Sequence, residues 1–248
     1  NPKNKKIIIA LPPLQELKII SSKDTIIPIT IGVKKDLPAE TSEQAGSTPP
    51  LPVEKTNFSL TDYKKNNIVF LIDKSSSMNK PDCMPLLQMA MTHLANIARA
   101  EDRITIITYA NEAHIVLPST PGNEHEKMIA VIQQLKCGGR TEGGKAIGIA
   151  YKNAEENFIA GGMNQIIIAT DGGFNGLSEN EQLLMQMVEK NVKKKINLSV
   201  LAFGQNRYGK AHITRLAKQG EGFYEFIANE NDAQVKLTGT IKLQSKIK

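Results

Sequence analysis

Residues 68–77 read Ile-Val-Phe-Leu-Ile-Asp-Lys-Ser-Ser-Ser, and this stretch decides how the rest of the chain is interpreted. A short, unbroken apolar run is typical of a strand that is buried on both faces of a parallel sheet. Asp73, Ser75 and Ser77 follow it directly, which places one carboxylate and two hydroxyls in the loop after the strand. Oxygen ligands that turn to one point suit a hard divalent cation such as Mg2+. The stretch therefore predicts a buried strand that ends in a metal-binding loop.

Strands and helices alternate from residue 66 onward. Predicted strands cover residues 68–72, 103–109, 113–117, 165–170, 197–203 and 222–226. Predicted helices cover residues 81–100, 124–136, 142–160, 179–195, 209–219 and 232–244. The second and third strands are close enough to form a hairpin, so the third is expected to be antiparallel at an edge. The alternation predicts an α/β fold, a doubly wound and mainly parallel sheet with helices on both faces.

Residues 1–60 have a different character. Short apolar runs at 6–11, 17–21 and 25–33 are interrupted by prolines, which confine strands to edges or turns. Residues 37–52 are rich in Pro, Ser and Thr and read as a linker. We therefore expect an extended or small β segment and a linker over residues 1–60, followed by the α/β domain over residues 61–248. The first segment would either add strands to the domain edge or tether the domain to a membrane.

Charge and hydropathy exclude several classes of protein. The net charge of +6 is modest, and no aromatic residues are interleaved with the basic ones, so nucleic-acid binding is not expected. No apolar run approaches the roughly 20 residues that cross a bilayer, so no transmembrane segment is expected in this chain. Because the chain begins with Asn1 rather than Met, we expect a processed form or a fragment, whose targeting segment cannot be read.

Two later positions fit the same predicted site. Thr141 lies in a Gly-Gly-Arg-Thr loop, and Asp171 ends the apolar run at 166–170. In doubly wound sheets ligands bind at the carboxyl ends of strands, near the point where the strand order reverses. A polar turn after a strand is by itself also a common helix N-cap. The combination of Asp73, Ser75, Ser77, Thr141 and Asp171 favours a metal site over a simple cap.

The chain from about residue 66 resembles a von Willebrand factor type A (VWA) domain of the bacterial type. The resemblance rests on Asp-x-Ser-x-Ser-Met at 73–78, Gly-Gly-x-Thr at 138–141 and Thr-Asp-Gly at 170–172. It implies a six-stranded sheet with one antiparallel edge strand and a metal-ion-dependent adhesion site. It implies Ser75, Ser77 and Thr141 as direct ligands of Mg2+, or of Mn2+ or Ca2+, with Asp73 and Asp171 acting partly through water. It also implies a protein partner whose exposed Asp or Glu completes the metal sphere.

This sequence departs from the family pattern at two positions. Lys74 stands where small or apolar residues are usual, and a cation there would weaken metal binding or favour an acidic ligand. Gly173 stands where bacterial relatives often have an acidic residue. Neither change removes a ligand.

The two cysteines, Cys83 and Cys137, are expected on the same rim of the sheet, because each lies next to one of the predicted metal loops. Two independent, half-buried thiols are the favoured interpretation. The alternative is a disulfide that braces the metal loops, which would require an oxidising compartment.

These features predict a non-catalytic, metal-dependent protein-binding module outside the cytoplasm, in the periplasm or at the cell surface. The alternative is a VWA subunit of a metal-chelatase or ATPase assembly, which an acidic linker and an adjoining ATPase domain would support. A metal-dependent hydrolase ranks lowest, because no general base stands in a recognisable place. We therefore do not expect an enzyme.

Overall fold

The computed structural model describes residues 63–140, 144–172, 181–204 and 210–245. The chain divides into two compact units, residues 1–54 and 55–248, and every described residue belongs to the second. The predictions for residues 1–60, for Thr141 and for Gly173 therefore lie outside the described residues.

Strands and helices alternate in the described residues as the sequence predicts. The strands are β1 (Asn66–Asp73), β2 (Arg103–Tyr109), β3 (Ala113–Pro121), β4 (Met163–Thr170), β5 (Ile196–Phe203) and β6 (Glu221–Ile227). The helices are α1 (Met84–Ile97), α2 (His125–Gln133), α3 (Gly144–Glu156), α4 (Glu181–Lys193), α5 (Lys210–Gln219) and α6 (Glu230–Ser245).

The six strands form one sheet in the order β3-β2-β1-β4-β5-β6. Neighbouring strands are parallel, except that β3 runs antiparallel to β2 at the edge. All eight residues of β1 are buried, as expected for the central strand of a covered sheet. The strand order reverses between β1 and β4, so their carboxyl ends flank the crevice where such sheets bind ligands. The predicted fold class is confirmed.

Helices cover both faces of the sheet. Successive residues of a strand point to opposite faces, so Ile68, Phe70 and Ile72 pack into one core while Val69 and Leu71 pack into the other. The first core lies under α1, α2 and α6, and the second under α3, α4 and α5. Each fully buried aliphatic or aromatic side chain contributes about 1.5–3 kcal/mol. The sheet is thus a rigid support for the loops at its carboxyl edge.

Helix α1 is shorter than the predicted range of 81–100. It begins at Met84, with a proline in its first turn, because residues 80–83 form a turn in which the Cys83 amide donates to the Lys80 carbonyl. It ends at Ile97 because Ala98 is extended and Arg99 leaves the helix axis to pair with Asp102 at 2.8 Å. The shortened start leaves a loop of several residues next to the predicted metal site.

Both cysteines are free thiols in the structure, which has no disulfide between Cys83 and Cys137. Cys83 is buried in the core under α1, and a Cβ added at Gly204 would lie only 2.9 Å from its sulfur. Cys137 lies half-buried at the margin of the same core. Burial raises the pKa of both thiols, that of Cys83 to about 12, so both are held as neutral side chains.

Candidate functional site

The loop after β1 gathers one carboxylate and two hydroxyls. Asp73 is fully buried, and its Oδ1 accepts a hydrogen bond of 2.8 Å from the Ser75 amide. A short 3-10 turn over Ser76–Met78 then brings the Ser77 hydroxyl to 3.0 Å from the Ser75 hydroxyl. The buried Met78 side chain anchors this turn in the core. The structure thus brings Asp73, Ser75 and Ser77 together.

The loop after β4 brings a second carboxylate to the same crevice. The Thr170 hydroxyl donates a 3.3 Å hydrogen bond to Asp73 Oδ2 and accepts one of 3.1 Å from the Gly172 amide. Gly172 has φ +96°, a conformation that favours glycine. Asp171 is 2% exposed, and its Oδ2 lies 3.5 Å from the Lys80 ammonium. Thr170 therefore joins the two loops, and Lys80 places a cation at the rim.

The segment before Thr141, residues 138–140, is hydrogen-bonded to the loop after β1. The Gly138 amide donates to the Lys74 carbonyl at 2.7 Å, and the Ser76 amide donates to the Gly139 carbonyl at 3.1 Å. Gly139 has φ +88°, and the next amide, of Arg140, donates to Asn111 Oδ1 at 2.7 Å. Thr141 follows directly in the chain but lies outside the described residues, so its predicted place in the site stays a prediction.

Two residues of the site escaped the sequence analysis. Tyr109 ends β2 in register with Asp73, and its side chain is fully buried near that carboxylate. Burial raises the pKa of Tyr109 well above its ordinary value, so it is a neutral phenol. Tyr109 could have been identified from the sequence by its position as the last residue of the predicted strand 103–109. Lys80 gave no such signal, because the sequence predicted its neighbours 81–100 as a helix.

The two carboxylates make the crevice electronegative. Burial, helped by the nearby charge of Asp171, raises the pKa of Asp73 from 3.8 to about 6, although the hydrogen bonds from Ser75 and Thr170 oppose this shift. Among the described residues no basic side chain forms an ion pair with Asp73. A bound cation would satisfy this buried carboxylate.

The chemistry of the donor set fits a hard cation. The described residues contain no cluster of three or more His, Cys, Asp or Glu side chains that could hold a metal ion. A metal at this site would therefore depend on the Ser75 and Ser77 hydroxyls in addition to the carboxylates. Such oxygen ligands suit Mg2+, Mn2+ or Ca2+ and not a soft metal.

Comparison with known proteins assigns the chain to a family. The family model of the von Willebrand factor type A domain matches residues 67–240, and the protein belongs to this family. Among curated proteins, the uncharacterized protein YfbK of Escherichia coli (strain K12) is 36% identical over 177 residues, which is 71% of this chain. The matched region is 31% of that protein, so the chain spans about a third of the length of this relative.

Solved structures show the same fold at low identity. The von Willebrand factor type A protein from Catenulispora acidiphila superposes with a TM-score of 0.60 at 14% identity, over 72% of this chain and 42% of that one. An aerotolerance-related membrane protein from Bacteroides fragilis superposes with a TM-score of 0.55 at 20% identity, over 71% of this chain and 98% of that one. In the described part of the present chain, no helix combines the length and apolar character needed to span a bilayer.

Proposed function

We propose that this VWA domain is a non-catalytic module that binds a protein partner through a divalent metal ion. VWA domains commonly mediate protein interactions. The observation that carries the metal dependence is the pair of buried carboxylates, Asp73 and Asp171, beside the converging hydroxyls of Ser75 and Ser77. Lys80 contacts Asp171 but not Asp73, and burying the Asp73 carboxylate without a cation is a cost that a metal ion would offset.

The residues that would hold the ion are Ser75, Ser77 and Thr141, with Asp73 and Asp171 contacting it directly or through water. Mg2+ is the expected ion, and Mn2+ and Ca2+ accept the same oxygen ligands. A bound divalent ion supplies an electrophilic position that an Asp or Glu of the partner can fill. Thr170 and the Ser75 amide fix the orientation of Asp73, so the binding surface is set before the partner arrives.

The histidines of the domain support a binding role over catalysis. His125 contacts the Ala98 carbonyl, while His114 lies near the exposed Glu112 and His212 near the half-buried Glu181. None of these contacts involves Asp73 or Asp171. Within the part of the chain that the structure describes, these three histidines therefore supply no general base to the crevice.

Calorimetric titration of the full chain tests the metal step. We expect Mg2+ and Mn2+ to bind the chelator-treated protein and to release heat that Asp73→Ala abolishes. Asp232→Asn is the matched control, because Asp232 lies in α6 and pairs with Lys236, away from the crevice. Equal binding by wild type and Asp73→Ala would overturn the proposal.

Affinity capture of partners, in Mg2+ and in chelator, tests the second step. We expect a protein that is retained only with metal and only by the wild-type chain. Retention of an ATPase subunit irrespective of metal would instead favour the alternative, a subunit of a chelatase or ATPase assembly.

We further propose that the module works outside the cytoplasm. The fold similarity to an aerotolerance-related membrane protein of Bacteroides fragilis supports this location. Protease treatment of intact and of lysed cells that express the native protein is the test. Protection of the domain in cells with a permeabilised outer surface but an intact cytoplasmic membrane would contradict an extracytoplasmic location.

A further inference from the structure

A polar cleft of about 550 Å³ opens beside the Asp73 loop. Its walls come from Lys74 after β1, from the turn between β2 and β3, and from the segment before Thr141. We call it the lysine cleft and define it by Lys74, Asn111, Glu112, His114, Lys136 and Gly139.

The lysine cleft and the candidate metal site share a wall. The backbone of Gly139, in the cleft, accepts hydrogen bonds from the amide and the hydroxyl of Ser76, in the metal loop. Cys137 also lines the cleft, and its pKa is raised by burial and further by the negative charge of Asp73. The cleft therefore lies within electrostatic reach of the site, and one extended partner segment could contact both.

The charges in the cleft favour an anion. Lys74 is half-buried and Lys136 exposed, and neither has an ion-pair partner among the described residues. Among the described residues that line the cleft, Glu112 carries the one carboxylate, which is 79% exposed and lies 3.7 Å from His114. By contrast, Lys80 on the other side of the site already contacts Asp171. Two ammonium groups facing one cleft attract a carboxylate more strongly than isolated surface lysines do.

We infer that the lysine cleft receives a second acidic side chain of the same partner whose first carboxylate binds at the metal site. The inference rests on the proposed function and specifies its partner, a protein segment with two acidic residues close in sequence. An acidic peptide fits better than a nucleic acid, because no aromatic side chain stands among the described residues of the cleft to stack a base. Once the first carboxylate is held, the second binds at a high effective concentration and adds selectivity.

The probes for the test are glycine peptides that carry one or two glutamates. Their termini are capped, so the glutamates are their only charges. In the two-acid peptides about one to four glycines separate the glutamates, which spans roughly 7–17 Å in an extended chain. Binding to the full, isotopically labelled chain is followed by NMR at saturating Mg2+, because this method detects weak complexes. Lys74→Gln, Lys136→Gln and the double variant are compared with Lys218→Gln, which changes an exposed lysine of α5 outside the cleft.

We expect the best two-acid peptide to bind the wild type and Lys218→Gln roughly fivefold more tightly than the one-acid peptide, the size of a favourable ion pair. The double variant should lose this gain and keep its affinity for the one-acid peptide, and amide shifts at Gly138 and Gly139 should accompany the gain.

One-acid binding with no gain at any spacing, or a gain that persists in the double variant, would overturn the inference and leave the proposed function intact. If neither peptide binds in metal, the proposed function fails and the inference fails with it. A thymidine oligonucleotide is the last probe. If it binds through Lys74 and Lys136 while the two-acid peptide shows no gain, the inference is overturned, and the ligand of the cleft is a phosphate polymer.

Discussion

The Asp73 carboxylate lowers the stability of the metal-free protein at neutral pH, but the proposed metal site needs it. Its carboxylate is fully buried, and its pKa of about 6 lies above that of an exposed aspartate, chiefly because of burial. A raised pKa means that the folded, metal-free protein binds a proton more tightly than the unfolded chain does. The contribution of Asp73 to stability is therefore largest below pH 3.8 and is lost as the pH rises through 6. This residue is retained at a cost that a bound cation would remove.

Asp73→Asn should stabilise the metal-free protein at neutral pH. The neutral amide keeps the shape of the side chain and removes the buried charge, a difference of up to about 3 kcal/mol for a shift of about two pKa units. Urea unfolding in chelator at several pH values measures it, and we expect the advantage of the variant to grow between pH 4 and pH 7. The same variant should not bind Mg2+. A variant less stable than the wild type at pH 7 would contradict this account of Asp73.

Lys80→Met should raise the affinity for Mg2+. The Lys80 ammonium lies 3.5 Å from Asp171, so it competes with a metal ion for that carboxylate and repels the ion once bound. Because the Lys80 side chain is 50% exposed, solvent screens the effect, and we expect a gain of about two- to fivefold. Calorimetric titration measures the gain, with Lys152→Met on the exposed face of α3 as the control. Unchanged or weaker binding would show that Lys80 does not compete for the site.

At the scale of elements, the predicted strands were close to those observed and the loops were not. Strands such as β1 are unbroken apolar runs with a defined end, so sequence pattern fixes them within a residue or two. β3 runs to Pro121, beyond the predicted end at residue 117, because proline is tolerated on an edge strand. The predicted start of α1 was three residues too early, because residues 80–83 form a turn in which the Cys83 amide donates to the Lys80 carbonyl.

The same limit applies to the site. Asp73, Ser75 and Ser77 are neighbours in sequence, so their spacing alone predicts that they converge. The place of Tyr109 beside Asp73 depends on which strands pair, and strand order is a property of the whole sheet. The lysine cleft likewise joins three loops from different parts of the chain and has no sequence signature.

The loop before Thr141 depends on the left-handed backbone of Gly139, which has φ +88°. A Cβ there would lie 3.0 Å from Asn111 Oδ1 and disturb the contact that holds the Arg140 amide. Gly139→Ala should therefore cost about 1–2 kcal/mol of stability and weaken Mg2+ binding. Gly138→Ala is the matched control, because a Cβ at Gly138 would meet no atom within 4 Å. Thermal unfolding and metal titration compare the two variants, and equal behaviour would contradict a role for the Gly139 conformation.

At the scale of the whole molecule, metal binding and folding are linked, because Asp73 and Asp171 come together only in the folded sheet. Mg2+ at about a hundred times its dissociation constant should stabilise the protein by about 2.7 kcal/mol. For a domain of this size that raises the melting temperature by roughly 5–10 °C. Thermal scans with and without Mg2+ measure the shift, and Asp73→Asn should show none. An equal shift in the variant would indicate binding of Mg2+ elsewhere on the protein.

Because β1 lies at the centre of the sheet, the two strands that pair with it are synthesised at different times. The last neighbour of β1 to be synthesised is β4. It carries Thr170, whose hydroxyl donates to Asp73 from 97 positions later in the chain. At roughly 5–20 residues per second, translation needs about 5–20 s to cover that distance. Throughout this interval the nascent chain has the Asp73 loop but lacks Asp171, so under the proposed function it can capture neither metal nor partner. Under the proposed function, the metal-dependent binding surface is therefore completed only after β4 has been synthesised.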